Sequence, residues 1–369
     1  MDQMIHLEKI SVKQLFCLVI LTQVGVHVLT IPYEESRHSG YDSWMSVLIG
    51  GAIAQAAILI IYWLGKRYAD RSLPQYIFAI AGRQLGSVIN VLFAAYCAES
   101  SLMVIVGYSD VISRWMLFKT PWLVITGIMY GIAAYIASSS LRSMTAITQT
   151  FMIMFAICFV IVFISGTGKG DWRHFLPVGT HGIGPIMKDA LPAFWAYAGY
   201  DLLLYVFPFV RYRKQKELLI AMSAANGFTT FFYVLISVIA TYSFSESQLD
   251  SIPEPMVFIL RQFKWPVVQS LDIVFMSVWL AVMLVTVYVY LFLSARYLAF
   301  ALGKEVRNHP LLVWIVTIVC FTVGLWGSDR QWLFKFSVYH NTATAIAIAL
   351  VPTILLVASL ARGKAAAGG

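Results

Sequence analysis

The sequence predicts an all-α integral membrane protein of ten transmembrane helices, arranged five plus five, with helices 1 and 6 broken. Three observations predict it. Of 369 residues, 60% are apolar and only 12% are charged, about half the charged share of a soluble domain, and mean hydropathy is +0.77. Stretches without Asp, Glu, Lys or Arg recur at the ~20-residue length a helix needs to cross a bilayer. Two of these crossings, at matching places in the two halves, carry a mid-span glycine followed by a proline. Each crossing is read as a helix because backbone polar groups cannot be left bare in lipid.

In order, the charge-free stretches are residues 14–33, 43–65, 120–141, 143–168, 218–245, 273–295, 308–328 and 336–361. Two more are each interrupted by one acid: 83–110 by Glu99, and 189–211 by Asp201. The connections are short, so residues 1–364 read as a single membrane domain. Two connections are longer: the Gly-rich 165–185, and 244–266, within which 256–263 predicts a short helix at the outer face. The final 365–369 reads as an appended tail.

Lys and Arg set the orientation. With a cytoplasmic N-terminus, sixteen of the 26 fall inside, among them Lys304, Arg307, Arg362 and Lys364, and the densest clusters, 66–71 and 211–216, both do. Lys264 counts outside. Both termini are expected in the cytoplasm. The first span, behind the mixed-charge leader Asp2, Glu8, Lys9 and Lys13, does not read as a cleavable signal. The net charge of +8 is assigned to these loops rather than to nucleic acid. Cys17, Cys97, Cys158 and Cys320 lie in apolar stretches without close pairing, as core residues do. His6, His38, His174, His181, His309 and His340 are scattered, so no metal site is expected. No phosphate loop, nucleotide fingerprint or catalytic triad is visible, and the expectation is a protein that is not an enzyme and has no cofactor.

Ten spans in two halves of five require opposite orientations, hence inverted repeats, 12–165 and 186–361, with a binding site where their first helices break. Span one reads Leu21-Thr22-Gln23-Val24-Gly25-Val26-His27 and reaches Pro32; span six reads Tyr197-Ala198-Gly199-Tyr200-Asp201 and reaches Pro208. Unwinding frees amides and carbonyls that can bind the carboxylate and ammonium of an amino acid, aided by half-helix dipoles. Glycine permits the turn and close approach. Gly and Pro are also simply common in membrane helices, but two such helices at symmetric positions favour the broken reading.

Several segments resemble the B subunit of spore germination receptors, in the amino acid–polyamine–organocation transporter superfamily. They are Val24-Gly25 through Leu29-Thr30-Ile31-Pro32, Ser72-Leu73-Pro74-Gln75-Tyr76 with Gly82 and Gly86, and Leu176-Pro177-Val178 with Gly182-Ile183-Gly184-Pro185. Gly199-Tyr200-Asp201 through Pro208, Ser277-Val278-Trp279 with Tyr290, and Leu325-Trp326 complete the set. The resemblance implies a ten-helix fold of the LeuT type in the inner membrane of a spore. It implies a germinant-binding subunit, taking a nutrient such as an amino acid and signalling to A and C subunits. One departure stands out: where the family has a Gly-small-Gly pattern, Val26 and His27 follow Gly25. Either the pocket is smaller, the ligand differs, or His27 touches it.

The candidate ligand-binding residues are Thr22, Gly25, Val26, His27, Tyr96, Tyr197, Ala198, Gly199, Thr286 and Tyr290; Glu99 and Asp201 are gating or structural polar groups. Asp201, where the family has Glu, either anchors the unwound backbone, meets the ligand ammonium or pairs with 211–216; a structural role is favoured. Glu99 shares a helix face with Tyr96 and reads as a hydrogen-bonded acid or a proton carrier. Thr286 and Tyr290 are i, i+4 partners on span eight. Asp272 reads as a cap and Ser138-Ser139-Ser140 as a loop. The leading function is a germinant sensor. The alternatives are a proton- or sodium-coupled amino acid permease and a passive assembly subunit that lets water through. Span five has no Lys across 145–164, and span eight has separated Ser277, Thr286 and Ser294 rather than an adjacent pair; both lean toward the sensor.

Overall fold

The computed structural model describes residues 8–263, 270–303 and 309–361. His6, Pro266, Lys264, Lys304, Arg307, Arg362, Lys364 and the 365–369 tail lie outside the described residues. The helices are α1 (Val12–Gln23), α2 (His27–Thr30), α3 (Ser43–Arg67), α4 (Leu73–Ala81), α5 (Arg83–Trp115), α6 (Trp122–Ala137), α7 (Leu141–Ser165) and α8 (Ile183–Trp195). After them come α9 (Leu203–Val206), α10 (Lys216–Ser243), α11 (Pro255–Gln262), α12 (Leu271–Ala301), α13 (His309–Gly324), α14 (Arg330–Ala345) and α15 (Val351–Ala361).

Among the described residues, seven helices are long and apolar enough to cross a membrane, and a bent pair adds an eighth span. The first and fourth expected spans are shorter apolar helices, α1 and α6. At 1.5 Å per residue the 16 residues of α6 reach only about 24 Å; α1 is short because span one breaks after it. Span ten is continuous through a five-residue π segment, Ile346–Leu350, between α14 and α15.

Helix α12 is the centre of the bundle. It packs most extensively on α5, and Trp279, fully buried, is ringed by Phe155, Phe232 and Phe275. By contrast α7 turns Ile153, Val160 and Phe163 outward, as a helix facing lipid does. A capping box of Ser72 and Gln75 with Pro74 starts α4, and Gly82 at φ +78° ends it. That amphipathic helix is absent from the expected elements, although S-x-x-Q is its signature. The short helix expected at 256–263 is α11.

The two interrupted spans run antiparallel. Residues Ile10–Ser11, before α1, pair in parallel with Val210–Arg211, at the end of span six, so span one begins where span six finishes. At this basic end Arg296 forms a buried ion pair with Glu8, and the Arg67 guanidinium donates to the Ser359 hydroxyl at 2.7 Å. The far end is tied by Asp189 at the head of span six. Its carboxylate accepts the backbone N–H groups of His38 (2.9 Å) and Ser39 (2.7 Å) and the Ser39 hydroxyl (2.8 Å), and meets His38 Nδ1 at 2.7 Å.

Glu35 lies in that same connection, outside the spans, and is buried. Burial, then the neighbouring Glu34 charge, pushes its carboxyl up to about 8, with Asp189 adding to the shift. The folded protein therefore holds a proton that the unfolded chain releases near 4.5. The stabilisation is complete below that pH and is lost as pH rises to about 8, with a slope approaching 1.4 kcal/mol per pH unit. We expect thermal unfolding in detergent to move to lower temperature as pH rises from about 5 to about 8, and Glu35→Gln to flatten that dependence. An unchanged profile in the variant would contradict the assignment.

Candidate functional site

Both spans break where the sequence places the mid-span glycines, and the breaks pack on each other. Gly199 has φ +126°, and a Cβ there would lie 2.8 Å from the Gln23 nitrogen and the Thr22 carbonyl carbon. Only glycine fits this backbone-to-backbone contact. Gly25 is different: a Cβ would meet Thr286 Oγ1 at 3.6 Å, an ordinary contact.

Several of the peptide groups freed by unwinding are engaged. The Thr286 hydroxyl, from α12, is shared between the carbonyls of Thr22 (3.1 Å) and Leu21 (3.3 Å). The Tyr233 hydroxyl, from α10, is shared between the carbonyls of Gln23 (2.9 Å) and Ala196 (3.1 Å), one from each break. Gln23 Nε2 donates across to the Tyr197 carbonyl (3.1 Å), while its Oε1 accepts from Thr229 (3.0 Å). Asn226 donates to the Gly51 carbonyl at 3.1 Å and stands 3.4 Å from Gln23 Nε2. The Asp201 carboxylate accepts the Gly199 N–H (2.9 Å) and the Tyr290 hydroxyl (3.1 Å), and Tyr96 meets Tyr290 at 3.3 Å between hydroxyls.

The junction thus brings together Thr22, Gly25, Tyr96, Tyr197, Gly199, Asp201, Thr286 and Tyr290, with Ala198 half-buried beside them. Thr22 returns its hydroxyl to the Leu18 carbonyl (2.6 Å), and Tyr197 donates to the Val47 carbonyl (3.1 Å). Asp201 anchors unwound backbone, and among the described residues it makes no ion pair with 211–216. Glu99 stands apart, its carboxylate 3.1 Å from His340 Nδ1 on span ten. Sequence reading expected peptide groups open to a ligand and missed Gln23 and Tyr233, which bond to several of them, and Asn226 and Thr229, which hold the Gln23 amide. Their signal was modest: uncharged polar side chains inside charge-free stretches.

Open space begins one layer farther out. A cavity of about 170 Å³ lies between α2, α5, α14 and the segment before α11, and its walls include Val26, His27, Gly107, Glu254 and Arg330. At its rim Arg114 pairs with Asp110 (2.7 Å) and Glu254 (2.5 Å), and Arg330 approaches Glu254 at 3.8 Å. Among the described residues no group of three or more His, Cys, Asp or Glu side chains is arranged to hold a metal ion.

A family model described as spore germination protein matches residues 9–330. The chain belongs to this family. Spore germination protein GerQB of Bacillus cereus is 24% identical over 85% of this chain and 86% of its own length. Spore germination protein A2 of Bacillus subtilis is 21% identical over 94% of each. Among solved structures, MhsT in complex with L-phenylalanine aligns with a TM-score of 0.63 at 13% identity, covering 95% of this chain and 90% of that one. The Eremococcus coleocola manganese transporter aligns with a TM-score of 0.57 at 11% identity, covering 92% and 75%. This spore germination protein therefore has the LeuT-type fold, in a multi-pass membrane chain.

The two glycines separate experimentally. Gly199→Ala is expected to destabilise the protein by about 2–3 kcal/mol, from a positive φ and a backbone clash, and Gly25→Ala by under about 1 kcal/mol. Tyr233→Phe strips the shared donor from two buried carbonyls, a loss of about 1–3 kcal/mol. Thermal unfolding of the purified variants in detergent checks all three.

Proposed function

We propose that this chain is the germinant-sensing subunit of a spore germination receptor, acting with A and C partner subunits. In this reading it sits in the spore inner membrane with the basic end and both termini cytoplasmic, and residues 1–364 act as one membrane domain. Its halves, 12–165 and 186–361, are the inverted repeats that move against each other. The ligand is a small nutrient, an amino acid, held in the far-end cavity.

The observation that carries this is the cavity floor. It is made by Val26 and His27, immediately beyond the break in span one, so an occupant presses on the segment whose neighbours tie both breaks together. At about 170 Å³ the space is well below the roughly 300–1,000 Å³ of drug-sized sites, which suits a small metabolite. Val26 and His27 touch the ligand. Thr22, Gly25, Tyr96, Tyr197, Ala198, Gly199, Thr286 and Tyr290 form the junction that responds, Asp201 holds it in shape, and Glu99, facing His340 on span ten, is a structural polar group outside it. Occupancy shifts the junction only as far as the ligand prefers one arrangement over the other. A junction crossed by the Thr286, Tyr233 and Gln23 bonds beneath the cavity favours signalling over passage, because a solute crosses only after those bonds part.

The test is paired binding and uptake on the full chain reconstituted in vesicles, with the twenty L-amino acids as probes. Saturable binding with no accumulation under a pH or sodium gradient is the expected result. Concentrative uptake driven by either gradient would replace the sensor with a coupled permease.

A further inference from the structure

We propose that Glu34 is the group that recognises the ligand's ammonium, so that ligand selection here rests on a side chain in the outer cavity rather than on backbone carbonyls at the breaks. The inference rests on the reading that the ligand occupies this cavity.

The first support is competition at the junction. An ammonium needs acceptors, and unwound carbonyls are the obvious ones. Here those of Leu21, Thr22, Gln23, Ala196 and Tyr197 already accept bonds from Thr286, Tyr233 and Gln23. A ligand reaching one of these five either shares the carbonyl with a protein donor or displaces it, and displacement gains little net energy.

The second support is the charge inventory of the cavity. Its walls carry Glu34, Asp110, Glu254 and Arg330. Asp110 and Glu254 are both claimed by Arg114, and Glu254 also faces Arg330. His340, on the same walls, faces the Glu99 carboxylate at 3.1 Å. Among the described residues Glu34 makes no hydrogen bond or ion pair. It is also half-buried rather than fully solvated. Removing a carboxylate from water without a partner is costly. An ammonium arriving in the cavity supplies that partner as a charge-assisted hydrogen bond, roughly twice as strong as a neutral one.

The position fits the mechanism. Glu34 follows Tyr33, and His27 lies seven residues earlier, so one short segment carries the ammonium contact, the cavity floor and the break. A ligand bound at Glu34 thereby engages the part of span one that has a single helical turn, α2, and no long helix to stiffen it.

The experiment uses the full chain in vesicles, alone and co-expressed with its receptor partners. Probes are the twenty L-amino acids and, for each that binds, its α-hydroxy analogue lacking the ammonium and its decarboxylated amine. Wild type is expected to bind amino acids and to discriminate at least tenfold (roughly, for one lost charge-assisted bond) against the hydroxy acid. Glu34→Gln is expected to weaken amino acid binding roughly 10- to 100-fold and to abolish that discrimination, while Glu34→Asp retains it. Binding of the amine with wild-type strength identifies a simple amine as the ligand class and still supports the Glu34 contact. Gly107→Phe, which fills the cavity from its wall, is the control for the underlying reading. If it leaves binding intact, the cavity is not the site and both ideas fall. If it abolishes binding while Glu34→Gln keeps wild-type affinity and discrimination, the cavity stands and the Glu34 assignment is overturned. If wild type binds no amino acid or amine under either condition, both are overturned.

Discussion

Two helices that stop halfway through an apolar bundle expose peptide N–H and C=O groups where water is scarce. Each such group left alone costs about 1–3 kcal/mol, so an interrupted span needs the fold to answer them. This chain answers five carbonyls with three side chains, two from spans seven and eight and one from span one itself: Tyr233 reaches a carbonyl on each break, Thr286 serves two on span one, and Gln23 crosses from one break to the other. Gly199 follows from the same constraint. The breaks can share donors only if their backbones touch, and a side chain at 199 would hold them apart.

That solution moves the open space. A junction in which five break carbonyls already serve protein donors leaves less for a zwitterion, and the cavity lies beyond it, on the Val26–His27 floor. The departure from a run of small residues after Gly25 then has a physical sense. Val26 and His27 do not crowd a backbone-lined pocket; they close it and form the base of another. Closing the junction also links the two breaks mechanically, because a shift of either changes the geometry at Tyr233 and Gln23 together.

The bundle was legible because its signal is long. Runs of about twenty residues without a charge mark spans reliably, and two glycine–proline interruptions in matching places mark the breaks. What escaped has a common cause. Gln23, Asn226 and Thr229 are uncharged, so a search for acids and bases in apolar stretches passes over them, although a buried amide needs partners almost as much as a carboxylate does. The cavity was invisible for another reason. Its walls come from residues near 27, 107, 254 and 335, and no local pattern joins them. Glu34 reads as a loop acid until the neighbouring acids are seen to be taken by Arg114. Helix α4 was overlooked despite its capping box because it is short and lies beside longer apolar runs.

The two ends of the molecule are held by different physics. At the basic end the Glu8–Arg296 pair is nearly enclosed, Arg296 being 4% exposed, and strand pairing adds main-chain bonds between spans one and six. Removing one partner of a buried pair leaves an uncompensated charge, which is why such ties part reluctantly. At the cavity rim the arginines are less enclosed, 32% for Arg114 and 43% for Arg330, while the Glu254 carboxylate they share is 6% exposed. Water screens the guanidinium side of these contacts, but parting them leaves a nearly enclosed carboxylate behind, which is costly. The far end is held as well by the buried Asp189 carboxylate and its bonds to His38 and Ser39. What distinguishes this end is the space it keeps: the cavity, Glu34 and the short α2 turn lie beside the break in span one, so a change in the cavity reaches the junction through one short segment.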